Sequence, residues 1–429
     1  MDFFDILTLI GGLAMFLFGM QVLGDGLTQA SGGRMESILE KLTSNPFKGV
    51  FLGMLVTAVI QSSSATTVMV VGFVNAGIMK LSQAVGVIMG ANIGTTITSW
   101  ILSLTGIEGD NFLIQMLKPQ NFSPILAIIS IFLVMTAKRE SKKNLGNILV
   151  GFAVLMFGMN TMSDTVKPLA DVPEFAEFLL MFENPFFGVF AGMLLTAIIQ
   201  SSSASVGILQ ALSVTGAISW SAAIPIILGQ NIGTTITAIL SVIGASKNAR
   251  RTAIAHLYFN VIGTIIFTVG VFAVQGMGIG DFWDNPINKS GIANFHTIFN
   301  VTMTVLFLPF TGLLEKLCMK TIPSDGTEID SDTSELAPGL VSNPIAAISA
   351  SELILKKLMG VTADCVKCSF ERLNGGDPKL GERISGQNTA IVRMENNLRI
   401  YLLKVAEGSL SPAQEKTVTE MLGRADDCI

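Results

Sequence analysis

The sequence predicts an all-α polytopic membrane protein with two inverted-topology repeats, a re-entrant helical hairpin in each repeat, and a C-terminal soluble helical domain. Half of the 429 residues are apolar and only 14% are charged, a composition typical of a chain that crosses a bilayer several times. Long segments recur at a fixed spacing, and the composition becomes polar after Lys320. The net charge of -5 is unevenly distributed and indicates no nucleic-acid partner.

The duplication is visible when the sequence is shifted by 139 residues. GVFLGMLVTAVIQSSSA, from Gly49, then matches GVFAGMLLTAIIQSSSA, from Gly188, and MGANIGTTIT, from Met89, matches LGQNIGTTIT, from Leu228. The offset is the same in both blocks, so we infer a duplicated unit. We place the membrane domain at residues 1–320, with repeat 1 at about residues 5–138 and repeat 2 at about residues 144–276.

Seven apolar runs predict full membrane crossings, because most are long enough to cover about 30 Å of hydrocarbon at a helical rise of about 1.5 Å per residue. The run at residues 123–137 is short, and the last run lies outside both repeats. The runs are residues 4–24, 83–104, 123–137, 144–162, 221–243, 252–275 and 294–318.

The two QSSS segments are also uncharged, but each polar tip interrupts the apolar sequence. The flanking arms are too short to cross, since they reach only about 20 Å at helical rise. We therefore predict that each segment is a re-entrant hairpin with its tip near the middle of the membrane, buried in protein or lining a cavity.

Lysine and arginine in short loops predict the orientation. KRESKK, from Lys138, and SKNARR, from Ser246, are basic, whereas the loops at residues 163–186 and 277–293 contain several acids. With seven crossings, the N-terminus is predicted outside and the C-terminal domain in the cytoplasm. Three crossings per repeat then bring the two hairpins in from opposite sides, as in many secondary transporters.

The C-terminal part begins with an acidic linker at residues 321–341, followed by a helical cytoplasmic domain at residues 342–429 that we expect to be incomplete. Ser411-Pro412 predicts the start of its last helix. Cys365 and Cys368 form a single CxxC, which we interpret as two positions on one helix rather than as a zinc or redox site.

The hairpin tips are the predicted binding site. The arm that follows each tip begins with unpaired N–H groups and a positive dipole end, which favour an anion. The arm that precedes it ends in free carbonyls, which suit a small cation together with amide and hydroxyl oxygens. The tip residues are Gln61, Ser62, Ser63, Ser64, Thr66, Thr67, Gln200, Ser201, Ser202, Ser203 and Ser205.

The spans that follow the hairpins carry further polar residues beside glycines, namely Asn92, Thr95, Thr96, Asn231, Thr234 and Thr235. They can face the tips as cation ligands. The alternative is close helix packing, with the threonines bonded to their own helices.

The coupling ion follows by exclusion. No acid or base occurs in residues 49–79, 81–107 or 186–246, so these segments hold no carboxylate to carry a proton, and sodium is favoured. The two histidines form a secondary candidate site in repeated H-x-x-F-N motifs, with His256 and Asn260 in one and His296 and Asn300 in the other. Buried histidines are usually packing residues, but they leave open a proton-coupled transporter or a transporter of another oxyanion that uses His256 and His296.

Three alternative functions are an intramembrane serine hydrolase, a channel and a sensor. An intramembrane serine hydrolase needs one activated nucleophile with a positioned base, whereas the serine triplets occur twice in equivalent places. A channel or a sensor that acts through the C-terminal domain would show no saturable, sodium-driven uptake.

The two QSSS motifs, the two NIGT motifs and the H-x-x-F-N segments resemble the type II sodium/phosphate cotransporter family over about residues 5–318. The sequence PIAAISASELILKKLM resembles a PhoU-like domain found in bacterial members. This resemblance implies a transporter rather than an enzyme, in the bacterial inner membrane, that moves inorganic phosphate with Na+ by alternating access and needs no organic cofactor. Its partners are phosphate, sodium and lipid, and a homo-oligomer is left open.

The resemblance also implies roles for the tip residues. Phosphate is assigned to Ser62, Ser63, Ser64, Ser201, Ser202 and Ser203. Sodium is assigned to Gln61, Gln200, Thr66, Thr67, Ser205, Asn92, Thr95, Thr96, Asn231, Thr234 and Thr235. The first motif continues SATT and the second SASV, so the two sodium sites need not be equivalent.

Overall fold

The structure is a computed structural model that describes residues 2–31, 46–75, 79–106, 111, 115–116, 118–323, 336–341, 343–375, 380–408 and 410–428. Residues 324–335 of the predicted linker lie outside the described residues. The α-helices in the described part are α1 (Phe3–Ser31), α2 (Pro46–Ile60), α3 (Ser63–Asn75), α4 (Leu81–Ser103), α5 (Pro119–Thr136), α6 (Glu140–Val166), α7 (Pro173–Leu180), α8 (Pro185–Ile199), α9 (Ser202–Leu212), α10 (Trp220–Gly233), α11 (Thr235–Ser241), α12 (Lys247–Gly276), α13 (Lys289–Phe307), α14 (Thr311–Thr321), α15 (Pro344–Leu373), α16 (Leu380–Ala406) and α17 (Pro412–Asp426).

The described part contains helices and no β-strands, which confirms the predicted all-α class. Six helical segments in it are long and apolar enough to cross a membrane, namely Phe3–Ser31, Leu81–Gly106, Glu140–Asp171, Trp220–Ser241, Lys247–Gly276 and Lys289–Thr321. They coincide with six of the seven predicted crossings. The seventh coincides with α5, which is apolar but shorter. Phe132, Phe186, Ile128 and Ile198 are mostly exposed on the described surface, as expected for side chains that face lipid.

The residues group into two units, one formed by Met1–Thr67, Val85–Thr237 and Ala255–Leu314, the other by Val68–Ala84, Ala238–Ile254 and Glu315–Ile429. In the first unit, α1 packs on α6 through glycines at equivalent positions of the two repeats. A Cβ atom on Gly19 would lie 2.2 Å from the backbone nitrogen of Leu155, and one on Gly158 would lie 2.3 Å from that of Phe16. Because these contacts match at the 139-residue offset, the repeats are duplicated in packing as well as in sequence.

A second pair of matched glycine contacts joins α2 to α4 and α8 to α10. A Cβ atom on Gly90 would lie 1.9 Å from the carbonyl oxygen of Val50, and one on Gly229 would lie 2.0 Å from that of Val189. Only glycine permits this approach of two backbones. The glycines of the repeated motifs are therefore packing residues, as one of the two interpretations of the sequence proposed.

These contacts also establish the hairpins. Pro46 lies against Gly86 and Val50 lies against Gly90, so α2 and α4 run parallel, with their starts side by side. The chain must return from the end of α2 to the start of α4, and α3 is the helix between them. The same holds for α8, α9 and α10, where Gly188 lies against Pro225. Both QSSS segments therefore form a helix, a break and a returning helix, and the re-entry of these hairpins into the membrane stays a prediction.

The C-terminal helices in the second unit pack around a core of their own. Leu358, Leu398, Leu402 and Val418 are buried in this core. The helix α17 begins at Pro412, where the Ser411 side chain and Gln414 form a capping box, which confirms the predicted helix start. Cys365 and Cys368 both lie within α15, so the CxxC is a helical pair, as predicted.

We predict that Gly90→Ala and Gly229→Ala each destabilise the protein by more than about 2 kcal/mol, because the added methyl group would overlap a backbone carbonyl and overpacking costs about 1–3 kcal/mol or more. Thermal melting of the purified protein in detergent measures the effect.

Gly270→Ala is the matched control, since Gly270 lies inside α12 with no neighbouring atom within 4 Å of the added Cβ. Alanine has the higher helix propensity, so this variant should melt at or above the temperature of the unchanged protein. Equal melting temperatures for all three variants would contradict the packing argument.

Candidate functional site

The polar tip of each hairpin is formed by a glutamine in the left-handed backbone conformation. Gln61 has φ 57° and Gln200 has φ 58°, and in the described part no other non-glycine residue has a positive φ. Each glutamine N–H donates to a threonine carbonyl four residues earlier at 2.7 Å, Thr57 in one repeat and Thr196 in the other. The left-handed conformation ends one helix and lets the next begin two residues later. A non-glycine residue held in it is uncommon and is typical of functional sites.

The serines after each glutamine begin the returning helix. The Ser62 hydroxyl accepts a hydrogen bond from the Ala65 N–H at 3.1 Å, and the Ser201 hydroxyl accepts from the Ala204 N–H at 3.3 Å. Both are N-cap serines, which stabilise the helix start. The remaining first-turn N–H groups of α3 and α9 stay at the tip, where a helix begins with a positive dipole end.

The two tips differ in their surroundings. Gln61 is 7% exposed, and its Oε1 accepts a hydrogen bond from the Thr98 hydroxyl at 3.0 Å. Gln200 is exposed, and Thr237, the equivalent of Thr98, donates to the carbonyl of Thr234 at 3.1 Å. The amide of Gln61 is therefore fixed by a hydrogen bond from Thr98, whereas the equivalent threonine does not bond to Gln200, which is exposed.

The residues behind the tips differ in the same way. In repeat 1 the Thr57 hydroxyl donates to the Thr66 hydroxyl at 3.0 Å. Their equivalents in repeat 2 are Thr196 and Ser205, which are fully buried and have no hydrogen-bond partner for their hydroxyls within the described residues. The second hairpin thus keeps two hydroxyl oxygens available where the first hairpin pairs them.

The predicted threonines of the following spans bond locally. Their hydroxyls donate to carbonyls of their own helix turn at 2.7 to 3.1 Å, with Thr95 bonded to Ala91, Thr96 to Ile93, Thr234 to Gln230 and Thr235 to Ile232. This is the local bonding that the packing interpretation predicted. Each hydroxyl donates its proton to the helix, and the hydroxyl oxygen keeps a lone pair that can accept a further bond. The structure interrupts the span only in repeat 2, where Thr234 separates α10 from α11.

The asparagines of these spans contact the histidines, and the two contacts match. The Nε2 atom of His256 lies 3.3 Å from Oδ1 of Asn92, and the Nε2 atom of His296 lies 3.3 Å from Oδ1 of Asn231. An amide oxygen accepts, so Nε2 of each histidine is the donor and Nδ1 of a neutral ring is an acceptor. The predicted secondary pair and the predicted span residues therefore form one network in each half.

The networks differ at Nδ1. Nδ1 of His296 lies 3.0 Å from the Ser99 hydroxyl, whereas Nδ1 of His256 has no partner among the described residues. The residue equivalent to Ser99 at the 139-residue offset is Ala238, which has no hydroxyl to donate.

The asparagines of the H-x-x-F-N motifs each have a carboxamide oxygen that is buried without a partner in the part of the chain that the structure describes. These oxygens are Oδ1 of Asn260 and Oδ1 of Asn300, and both residues are fully buried. Each side-chain nitrogen is bonded, to the carbonyl of His256 and to that of His296 at 2.9 Å. Leaving a buried acceptor unpaired is unfavourable, so these oxygens are suited to accept a ligand such as a cation.

Lys289 is a buried polar residue that the sequence analysis missed. It is 4% exposed, and its Nζ donates to the hydroxyls of Thr105 at 2.9 Å and Ser163 at 3.0 Å. The side chain of Gln210 on α9 joins the carbonyls of Lys289 and Ser99, both at 3.0 Å. Lys289 shortly precedes an apolar run, and a lysine there usually reaches the membrane surface, so its burial could not be predicted from the sequence.

The chain matches the Na+/Pi-cotransporter family twice, over residues 15–164 and 155–280, so each repeat is recognised separately. It is 32% identical to the uncharacterized protein YqeW of Bacillus subtilis over 313 residues, 73% of this chain and 96% of that protein. No solved structure matches the chain.

Two further relatives have names that describe phosphate transport. The chain is 24% identical over 426 residues to YjbB of Escherichia coli, whose provisional name describes inorganic phosphate export, and the match covers 97% of this chain and 74% of that protein. It is 37% identical over 99 residues to the sodium-dependent phosphate transport protein 2A of Rattus norvegicus, covering 22% of this chain and 15% of that protein.

We predict that Thr98→Val lowers ion-coupled uptake, because the buried Oε1 of Gln61 loses the hydroxyl that donates to it, a loss of about 1–3 kcal/mol or roughly tenfold in affinity. Valine keeps the shape of threonine, so the effect is confined to the hydrogen bond. Uptake at increasing concentrations of the coupling ion measures the change.

Thr237→Val is the matched control from the other repeat, since the Thr237 hydroxyl bonds within its own helix. It should change the ion dependence much less than Thr98→Val. Equal effects of the two variants would show that the asymmetry of the tips is irrelevant to ion binding.

Proposed function

Because the chain belongs to the Na+/Pi-cotransporter family, we propose that it moves inorganic phosphate across the membrane together with Na+ by alternating access, with both held at the two hairpin tips. The observation that carries this proposal is the matched pair of helix breaks at Gln61 and Gln200, each followed by a serine that caps the next helix. Members of the family transport phosphate, and the multiple apolar helices make this chain a multi-pass membrane protein.

Phosphate is proposed to lie at the starts of α3 and α9. The free N–H groups and serine hydroxyls there are hydrogen-bond donors, and the dipole end favours negative charge. The assigned residues are Ser62, Ser63, Ser64, Ser201, Ser202 and Ser203. Neither hairpin contains lysine or arginine between Gly49 and Met79 or between Gly188 and Ser213, so no side-chain cation of the hairpins offsets the desolvation of one or two negative charges. Cations bound with the phosphate would supply the missing charge.

Sodium is proposed to bind the neutral oxygens around the tips. Hard, uncharged oxygen ligands suit a small cation, and buried, unpartnered oxygens are available on Ser205, Asn260 and Asn300. The proposed ligand positions are those assigned from the sequence, Gln61, Gln200, Thr66, Thr67, Ser205, Asn92, Thr95, Thr96, Asn231, Thr234 and Thr235, with the carboxamides of Asn260 and Asn300 added by their burial.

One observation favours a second candidate, coupling to protons. His256 has a buried Nδ1 acceptor without a partner in the described residues, and a proton bound there would be carried in the transport cycle. Sodium coupling accounts for more of the geometry, because it uses the oxygens at both tips as well as those beside both histidines.

We further propose the bacterial inner membrane as the location, with the N-terminus outside, seven crossings including α5, and the C-terminal helices in the cytoplasm. The basic loops support this orientation. The direction of net flux is set by the gradients, which is compatible both with a relative named for export and with one named for sodium-dependent transport.

The direct test is uptake of radiolabelled phosphate by proteoliposomes that contain the purified full chain. We expect saturable uptake when a sodium gradient points inward and none when potassium replaces sodium. A proton gradient in sodium-free buffer should drive no uptake. Uptake driven by protons alone would favour the His256 candidate, and no flux in either direction under any gradient would contradict the proposal.

We predict that Gln61→Leu and Gln200→Leu each raise the sodium concentration needed for half-maximal uptake by roughly tenfold or more, because each removes an amide oxygen worth about 1.5 kcal/mol or more to a cation. The control is Gln21→Leu, which changes an exposed glutamine of α1. Unaltered sodium dependence in both tip variants would exclude these amides as ligands.

A further inference from the structure

An apolar surface in the second unit is covered by the segment that leads into the C-terminal helices. The surface consists of Val68 and Val71 on α3, Ala238 and Val242 at the end of α11, and Ala249 and Ala253 on α12. We call these six residues the seat. The covering residues are Ala337, Leu340 and Ala346, which are buried in the same cluster. Residues 336–341 and 343–346 form what we call the docking segment.

The docking segment packs on backbone rather than on side-chain ends. A Cβ atom on Gly72 would lie 2.2 Å from Cβ of Ala346, and one on Gly339 would lie 2.5 Å from the carbonyl oxygen of Ser241. Small residues on both sides are required at such distances. The fit is therefore specific to this segment and would not form with an arbitrary apolar chain.

The docking segment is joined just as closely to the C-terminal helices. Leu336 is buried in their core together with Ala347 and Ile348. Neighbouring residues along the chain therefore pack alternately on the seat and in the core of the C-terminal helices. The hydroxyl of Tyr401 on α16 donates to the carbonyl of Ala337 at 3.1 Å, and burial raises the pKa of this hydroxyl, so it stays a donor. A rearrangement of these helices must therefore pull on the segment.

The first residues of the linker are held by hydrogen bonds as well. The guanidinium of Arg251 on α12 is buried, and its Nε and Nη2 donate to the carbonyl of Ile322 at 2.9 and 2.8 Å. Ser246 N–H donates to Oδ1 of Asn75 at 2.8 Å, which ties the end of α3 to the start of α12. The ends of these helices are thus held to each other and to the segment.

The seat residues differ in chemistry from the equivalent residues elsewhere in the chain. At the 139-residue offset, Val71 corresponds to Gln210 and Ala238 to Ser99, and at the 40-residue offset of the H-x-x-F-N motifs, Ala249 corresponds to Lys289. Gln210 hydrogen-bonds to the carbonyls of Ser99 and Lys289. Hydrogen bonds therefore join the helices at these positions in one half, whereas the matching positions of the other half are apolar side chains that the docking segment covers.

We propose that the seat is an interaction surface for the chain's own docking segment, and that docking holds the ends of α3, α11 and α12 closed. The inference rests on the proposed function, which places these ends on the cytoplasmic side. Alternating access requires helix ends on each side to part in turn. Undocking of the segment must then precede opening, and the C-terminal helices control transport through it.

The experiment measures whether a buried seat residue becomes accessible. In the full chain with Cys318, Cys365, Cys368 and Cys428 changed to alanine, Val71→Cys is the reporter, and a membrane-impermeant maleimide is applied to inside-out vesicles. Leu340→Asp places a charge in the apolar cluster, which should displace the segment and raise the labelling rate roughly tenfold or more. Leu340→Ala should act in the same direction with a smaller effect if the charged variant folds poorly.

Met359→Asp is the matched control, since Met359 is half-exposed on α15 and the change is again from an apolar residue to an acid. It should leave the labelling rate unchanged. Labelling of Val71→Cys that is equally fast with and without Leu340→Asp, or equally increased by Met359→Asp, would overturn the proposal.

Phosphate flux in proteoliposomes is the second measurement. Leu340→Asp, in the background with native Val71, should increase the rate of sodium-driven phosphate flux severalfold, whereas Met359→Asp should not. If the unchanged protein carries no phosphate, the proposed function fails while the labelling result still decides whether the segment docks. Faster labelling with unchanged flux in an active transporter would show that docking does not control opening.

Discussion

The structure depends on one constraint, which is that a helix can be interrupted within a membrane only where the released backbone groups find partners in the protein. Each hairpin meets this constraint in the same way. The glutamine turns left-handed while its N–H closes the preceding helix on a threonine carbonyl, and the next serine caps the following helix. What remains is a small set of donors on one side of the break and carbonyls on the other. The proposed site for an anion and its cation follows from ending a helix where water cannot satisfy the released backbone groups.

The glycine contacts keep this break in place. The backbones of α2 and α4, and those of α8 and α10, approach so closely that a single methyl group would overlap a carbonyl. A hairpin arm held this tightly to a long span cannot tilt on its own, so each arm and its span move as one piece. The histidine and asparagine networks then connect α4 to α12 and α10 to α13, and a ligand beside Asn260 or Asn300 would contact the same rigid pieces as a ligand at the tips.

Much of this could be predicted from the sequence because it follows from periodicity and duplication. The repeat, the hairpins, the crossings that the structure shows as long helices, and the helix start at Pro412 are all local or translational patterns. The left-handed Gln61 and Gln200 could not be predicted, since glutamine has no preference for that conformation and tertiary contacts impose it. The same holds for Lys289, whose burial depends on the distant hydroxyls of Thr105 and Ser163. The pairing of His256 with Asn92 and of His296 with Asn231 also depends on packing that one sequence does not specify.

The duplication preserved the backbone and changed the side chains around it. Glycines and left-handed glutamines match in both halves, whereas Thr66 corresponds to Ser205 and Ser99 to Ala238. If the two halves carried the same residues at these positions, a transporter built from two inverted halves would have two end states of similar energy. Neither end state could then be stabilised separately from the other. Because hydrogen bonds join one half where apolar contacts join the other, the two states respond to different influences. The docking segment fills the apolar seat and also enters the core of the C-terminal helices, so the seat is directly subject to those helices. In the proposed mechanism, the alanine and valine side chains of the seat are therefore what makes control by the C-terminal helices physically available.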